Sequence, residues 1–350
     1  MRIAVKRDDT VVDAEGHVAG HDAGATLVRR LLRLFPDSVL IGPAARRCEG
    51  FDVAPAEFLD PADTVVINMD VLDSPYLWEV MATPDARPRI MNFVWWSTST
   101  LTDDVQRASV ALSCALFPTF ANSERTATEI REVVDRWTVK AVRDKARLAW
   151  VNLGFRVEHV QPREKTETPI VLYPAIYLSK RKRPDLFFQV LEKVHRDLPL
   201  RVEMRLHESH LVTERAMDLS RHNWVWIGPL TALRSDYWHA LARTTAFLAT
   251  ADEESYGLSY VEALGAGVVG IMPDKPWARA LVPEAYPYFY SDAAQAESML
   301  RDVLADPDAA RRALDECTGG GSFVDWIQAR HDDDAFEREL SEHVHTWFGA

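Results

Sequence analysis

Glu254, Gly257 and Glu262, with Ser259 between the last two, carry the residue types and spacing best suited to chemistry in this chain. Just ahead of them, Thr-Thr-Ala-Phe-Leu-Ala-Thr at 244–250 is a short apolar run with β-branched residues, which reads as a buried strand of a parallel sheet. Ser259 stands three residues before Glu262, the spacing of a capping box, and this predicts a helix beginning near Ser259. Glu254 then falls in the strand-to-helix loop and Glu262 in the first helical turn. In an open α/β sheet, ligands collect beyond the carboxyl ends of the strands. A glycine loop ahead of a helix N-terminus there offers unpaired amides and the positive end of a dipole to a phosphate. Carboxylates on either side of those amides accept hydrogen bonds from hydroxyl groups. A nucleotide sugar brings both a diphosphate and hydroxyls, so it is the ligand that this chemistry suits. Two glutamates at this spacing also arise by chance, and Glu262 reads equally as a capping-box residue alone.

The longer string Glu254-Ser-Tyr-Gly-Leu-Ser-Tyr-Val-Glu262-Ala-Leu-Gly-Ala-Gly is more specific. It resembles the Glu-x7-Glu motif of retaining glycosyltransferases of the GT-B fold, a family-4-like group that includes sucrose synthases and bacterial glycan-building transferases. The match falls at both glutamates, at Gly257-Leu258, at Glu262-Ala263 and at Gly267. This resemblance implies an α/β chain with two Rossmann-like, doubly wound parallel-sheet domains facing a central cleft. The nucleotide-sugar donor would bind mainly to the second domain and the acceptor to the first. It also implies that Glu254 holds sugar hydroxyls and steadies positive character at the anomeric carbon, that Glu262 holds the ribose hydroxyls, and that Tyr256, Gly257, Leu258 and Ser259 form the donor loop. A hexosyl transfer of this kind uses the donor as a co-substrate and requires neither cofactor nor metal.

The elements that must position these residues alternate along the chain. Residues 2–6, 38–41, 64–69, 89–94, 116–121 and 151–154 read as strands with helices or loops between them, the pattern of a parallel doubly wound sheet. Gly20 and Gly24 lie between the first strand and a helix over 25–35, and resemble the family's glycine loop at the donor diphosphate, although a plain turn suits them equally. That helix carries Arg29, Arg30 and Arg33; a basic membrane-surface helix is one reading and packing against the sheet the favoured one. Asp70 follows one strand, and Trp95-Trp96 follow another as a stacking wall or as core. Many family members place a histidine near such a strand end. None is present here, which leaves His21 and Asp70 as candidates to replace it.

A linker with Pro162 and Pro169 puts the domain boundary near residue 162, giving an acceptor-side domain over 1–162, a donor domain over 163–325, and a helix over 326–350 that crosses back. In the second domain Lys180, Arg181, Lys182 and Arg183 run together just before Pro184, where a helix is expected to start. This is a solvated charge run or, by the resemblance, the cationic loop that neutralises the diphosphate, with Lys182 matching the family lysine. The family's Gly-Arg pair falls on Ala175-Ile176 or Ile176-Tyr177, so its arginine is missing and Lys180 or Arg181 must compensate. Trp224-Val-Trp-Ile-Gly-Pro-Leu230 resembles the strand and loop that meet the nucleobase, with Gly228 and Leu230 as base-pocket candidates.

Composition bounds these readings. The 350 residues suffice for two domains with their own cores, and 47% hydrophobic with 27% charged residues is a globular balance. A net charge of −13 argues against a broad nucleic-acid surface. A DNA base as acceptor is therefore the lesser branch, permitted by the tryptophan pair and by Arg29, Arg30, Arg33, Arg46 and Arg47; a glycan, lipid-linked sugar or small molecule is the greater one. A non-catalytic sugar-nucleotide-binding module is a further reading, motivated by the missing arginine and histidine. Cys48, Cys114 and Cys317 are scattered, and His207 with His210 find no third ligand in the sequence, so no metal site is expected. With no signal-peptide pattern and no long apolar run, a cytoplasmic protein is expected. The sequence sets neither the acceptor nor the oligomeric state.

Overall fold

The computed structural model describes residues 1–20, 22–230 and 234–349. Its contacts divide the chain into two compact units, Met1–Asn152 with Ala335–Ala350, and Leu153–Asp334.

The first unit is built on eight strands: β1 (Arg2–Lys6), β2 (Ser38–Ile41), β3 (Arg46–Arg47), β4 (Phe51–Ala54), β5 (Thr64–Asn68), β6 (Arg89–Val94), β7 (Thr119–Ala121) and β8 (Leu148–Trp150). They lie in the order β3-β4-β2-β1-β5-β6-β7-β8, and only the short β3 hairpin partner of β4 runs antiparallel. Val65, Val66 and Ile67 of β5 are fully buried, as expected for a strand with both faces covered by helices. From β1 the chain builds outward through β2 and β4, then returns to the other flank of β1 with β5. The order reverses there, and Lys6 at the end of β1 pairs in register with Asn68 at the end of β5.

The helix after β1 runs over Ala23–Leu34 and is capped by Asp22, whose carboxylate accepts from the Ala25 amide at 3.0 Å. Its arginines are spent within the unit. Arg29 donates to the carbonyls of Val18 (2.9 Å) and Gly20 (2.7 Å), Arg30 lies 4.5 Å from the Phe336 ring, and Arg33 pairs with Glu337. The last helix, Asp333–Phe348, thus supplies core to this unit, with Phe336 against Phe93 and Phe120. Among the described residues no helix is long and apolar enough to cross a membrane.

The second unit has β9 (Ile170–Tyr173), β10 (Arg201–Leu206), β11 (Val225–Pro229), β12 (Ala246–Leu248), β13 (Val269–Pro273) and β14 (Phe289–Tyr290), all parallel, in the order β11-β10-β9-β12-β13-β14. Here the order reverses between β9 and β12.

Several elements depart from expectation. The strand expected over 151–154 forms over Leu148–Trp150, and that over 116–121 begins only at Thr119, because the preceding helix continues to Leu116. β3 and β4 had no counterpart in the apolar pattern. The expected boundary at 162 lies inside the second unit. The Phe155 amide donates to the His331 carbonyl at 3.0 Å and its ring lies 5.7 Å from Trp238, while Arg163 donates to the carbonyls of Leu241 and Thr244.

Candidate functional site

Ligands in open α/β sheets bind where strand order reverses, outside the carboxyl ends of the two strands concerned. In the second unit that point is flanked by the segments leaving β9 and β12. The chain leaving β9 turns through a single 3-10 turn at Lys180–Lys182 and enters the helix Pro184–Asp197 through Arg183, held at φ 48. The chain leaving β12 clamps this turn at backbone level. Thr250 Oγ1 donates to the Lys182 carbonyl at 2.7 Å, and the Asp252 amide to the Arg181 carbonyl at 2.8 Å. With both backbones tied, Lys182 Nζ meets Glu254 Oε1 at 2.5 Å. The side chains remain partly open, at 23% for Lys182 and 12% for Glu254.

The buried Tyr260 donates its hydroxyl to the same Glu254 oxygen at 2.7 Å. Burial, reinforced by the Glu254 charge, pushes its phenol well above the ordinary value, so the hydroxyl keeps its proton and remains a donor. Tyr260 belongs to the motif string, and its position two residues before Glu262 is the signal that sequence reasoning passed over. Lys275, in the loop after β13, was passed over as well: its Nζ lies 3.0 Å from Asp252 Oδ1, and Arg183 reaches the same carboxylate at 3.4 Å. Lys180 and Arg181 are exposed.

The helix behind the loop spans Leu258–Gly265 and starts one residue earlier than the capping-box reading. Gly257 is its N-cap at φ 95, a conformation in which a side chain is strained, and an added Cβ would stand 2.8 Å from the Tyr260 ring. Ser259 caps nothing here. Its hydroxyl instead donates to the Pro174 carbonyl at 2.9 Å, tying this helix to the end of β9. Leu258 and Ser259 lie in the first turn, whose amides have no acceptor within a helix. Glu262 is buried in the same helix at 4% exposure.

Two expected donor contacts are placed differently. The Tyr256 side chain turns into the core, where its hydroxyl meets the Leu153 carbonyl and His331 Nδ1, so only its backbone remains on the loop. His331 Nε2 faces the Leu281 carbonyl at 3.1 Å, and burial lowers its pKa from the ordinary 6.5 to about 4. At Gly228 the absent side chain makes room for Trp226: a Cβ would stand 2.3 Å from the indole, while the Leu230 amide donates to the Leu206 carbonyl at 2.9 Å.

The first unit repeats the arrangement of strand ends. Where β1 and β5 part, Lys6 Nζ contacts Asp8 (2.7 Å), Asp70 (3.1 Å) and Asp73 (3.1 Å). Asp70 also accepts from the Asp8 amide at 2.8 Å. Burial works against the Lys6 charge, but the carboxylates outweigh it and hold the ammonium above its ordinary 10.5. One ammonium cannot satisfy three carboxylates, and Asp70, pressed mainly by burial, is raised above 3.8. A buried chain of hydrogen bonds fixes the loop beneath: Asn68 to Ser74 (2.8 Å), Ser74 to Asn92 (2.5 Å), Asn92 to Ser113 (3.1 Å) and Ser113 to the Val71 carbonyl (2.6 Å). Above it opens a cavity of about 400 Å³ lined by Asp8, Asp70, Asp73, Trp95 and Trp96 among others. Trp95 is held by Asn122, which donates to its carbonyl at 3.1 Å, and Trp96 packs on the core of this unit.

Asp70 and the tryptophan pair are thus brought together. Gly20 is not with them: its carbonyl is taken by Arg29, and the carboxylate of Asp22 already caps the adjacent helix N-terminus where a phosphate was expected. His21 lies outside the described residues. Arg46 donates to the carbonyls of Asp13 and Ala14, both at 2.6 Å. Among the described residues no three His, Cys, Asp or Glu side chains converge as a metal set.

No family model matches the chain, and no curated protein matches it. Solved structures do. Sucrose-phosphate synthase from Thermosynechococcus elongatus is similar with a TM-score of 0.71 at 13% identity, over 99% of this chain and 99% of that one. Trehalose-6-phosphate synthase OtsA is similar at 0.69 and 10% identity over 98% of each chain. Anabaena HepE, solved with UDP and glucose, is similar at 0.68 and 13% identity over 98% of this chain and 99% of that one. At such identities the likeness speaks for the fold: an α/β chain of two parallel-sheet units in the GT-B class.

Proposed function

We propose that this chain is a retaining glycosyltransferase that moves a sugar from a nucleotide-sugar donor to an acceptor hydroxyl. The observation that carries the proposal is the Lys182–Glu254 contact at 2.5 Å, made at the strand-order reversal of the second unit and beside the N-terminus of the helix Leu258–Gly265. A cation, a carboxylate and a helix N-terminus at one point suit a ligand carrying both diphosphate and hydroxyls. HepE, of the same fold, has been solved with UDP-glucose, which supports a UDP-sugar as donor here.

In the proposed step the acceptor oxygen attacks the anomeric carbon from the face that the diphosphate leaves. The bond from that carbon to the phosphate oxygen breaks, and the acceptor's proton passes to the leaving phosphate. Lys182 and the helix N-terminus stabilise charge growing on the diphosphate, so the step is proposed without a metal. Glu254, oriented by Tyr260, holds the sugar hydroxyls and steadies the anomeric carbon, and Glu262 takes the ribose. The exposed Lys180 and Arg181 offer positive charge in place of the family arginine. The acceptor side falls to the first unit.

Incubation with nucleotide sugars and proton NMR of the product test this directly. Retention at the anomeric centre and a loss in kcat on the order of a hundredfold for Lys182→Ala are expected, the size seen when one transition-state donor is removed. An inverted product, or turnover untouched by Lys182→Ala, would overturn it.

A further inference from the structure

The first unit's cavity has two independent features. Its wall is aromatic: Trp95 and Trp96 are each half-buried and line about 400 Å³ of concave space at the carboxyl ends of β1, β5 and β6. Indole faces stack on the apolar faces of sugar rings, and a wall of two tryptophans suits a polyhydroxylated ring as ligand. Its floor is acidic. Asp8, Asp70 and Asp73 surround Lys6, and their side chains retain 64%, 28% and 42% of their exposure. Formal charges of three carboxylates and one ammonium leave the floor at −2. Carboxylate oxygens accept from hydroxyls and repel phosphate.

The cations nearby do not relieve this. Lys6 already contacts all three carboxylates. Arg7 lies 5.6 Å from the Trp95 ring, but its guanidinium is paired with Asp22 at 3.1 Å.

We propose that this cavity binds the acceptor as an unphosphorylated sugar, its ring stacked on Trp95 and Trp96 and its hydroxyls donating to Asp8, Asp70 and Asp73, and that it rejects sugar phosphates. The assignment rests on the transferase reading for the word acceptor, while the binding it claims stands apart from turnover. It separates this chain from the two sugar-phosphate-forming synthases that share its fold.

The test is ligand-observed saturation-transfer NMR on the full chain with paired probes: glucose and glucose 6-phosphate, N-acetylglucosamine and its 6-phosphate, fructose and its 6-phosphate. Saturation transfer is expected from at least one unphosphorylated member and is expected to exceed that of its phosphate by about tenfold in affinity, a difference of about 1.4 kcal/mol. Trp95→Ala should abolish the signal. The double variant Asp8→Asn with Asp73→Asn keeps size and shape at two exposed positions, and should raise affinity for the matching phosphate about tenfold. Preference for the phosphate, no transfer from any free sugar, or a double variant that leaves the phosphate excluded overturns the proposal. Release of UDP from UDP-glucose, followed separately without acceptor, reports on the transferase reading itself, so the failure of one is not mistaken for the failure of the other.

Discussion

His331 offers a stability test whose size and sign follow from its surroundings. The imidazole is buried between two acceptor-rich partners: Nε2 faces the Leu281 carbonyl at 3.1 Å and Nδ1 faces the Tyr256 hydroxyl. A neutral ring with hydrogen on Nε2 donates to the Leu281 carbonyl, while the Tyr256 hydroxyl shares its one proton between the Leu153 carbonyl and Nδ1. A charged ring must hold a cation away from water, and burial therefore lowers its pKa from 6.5 to about 4. A depressed pKa contributes stability that is present in full above the unfolded value, here 6.5, and is lost as pH falls toward the folded value near 4. The gap corresponds to roughly 3 kcal/mol at 1.36 kcal/mol per pH unit. For a unit of this size each kcal/mol shifts the melting point by about 2–4 °C, so the acid-induced loss is on the order of 10 °C. Tyr256 belongs to the loop ahead of the helix Leu258–Gly265, which should loosen as its partner charges. Differential scanning calorimetry from pH 7.5 to pH 4 on the natural chain and on His331→Gln isolates the effect, because carboxylates titrate equally in both. The variant starts less stable and should lose about 10 °C less over that range. Parallel pH profiles for the two proteins would refute the reasoning.

Two further outcomes are expected. Gly257→Ala should cost about 1–3 kcal/mol, since a side chain is strained at φ 95 and the new methyl would press on the Tyr260 ring at 2.8 Å; a urea melt showing no loss would contradict this. Tyr260→Phe should weaken donor turnover by roughly tenfold to a hundredfold, because a hydrogen bond to a charged group contributes about 1.5–3 kcal/mol; unchanged steady-state kinetics would show that Glu254 needs no such support.

Much of the candidate site in the second unit was legible because its residues are close in sequence. Residues 254–262 hold loop, glycine and helix start together, and the basic run before Pro184 marks a second loop. Their meeting required only the alternation of strand and helix. The helix start was misplaced by one residue because the capping-box spacing competes with a left-handed Gly257, which takes the cap position, and the serine hydroxyl, in the first turn, donates to the Pro174 carbonyl. Tyr256 was misread because nothing local shows which way a loop side chain turns; its partners lie at Leu153 and His331. The strands β3 and β4 escaped notice because Arg46-Arg47 and Phe51-Asp-Val-Ala carry too little apolar pattern to mark a sheet edge. The cluster about Lys6 was invisible for another reason. It depends on the register that sets Lys6 beside Asn68, a pairing across the sheet that no local spacing encodes.

On the proposed function, the second unit takes a nucleotide sugar on Lys182, Glu254, Glu262 and the helix that opens at Leu258. This is tested most directly by thermal shift of the full chain with UDP-, GDP-, ADP- and TDP-sugars, run beside Lys182→Ala and Glu262→Gln. One donor at a hundred times its dissociation constant should stabilise the natural chain by about 2.7 kcal/mol, and both variants should lose most of that gain. No shift with any donor, or a shift that survives both substitutions, would contradict the account.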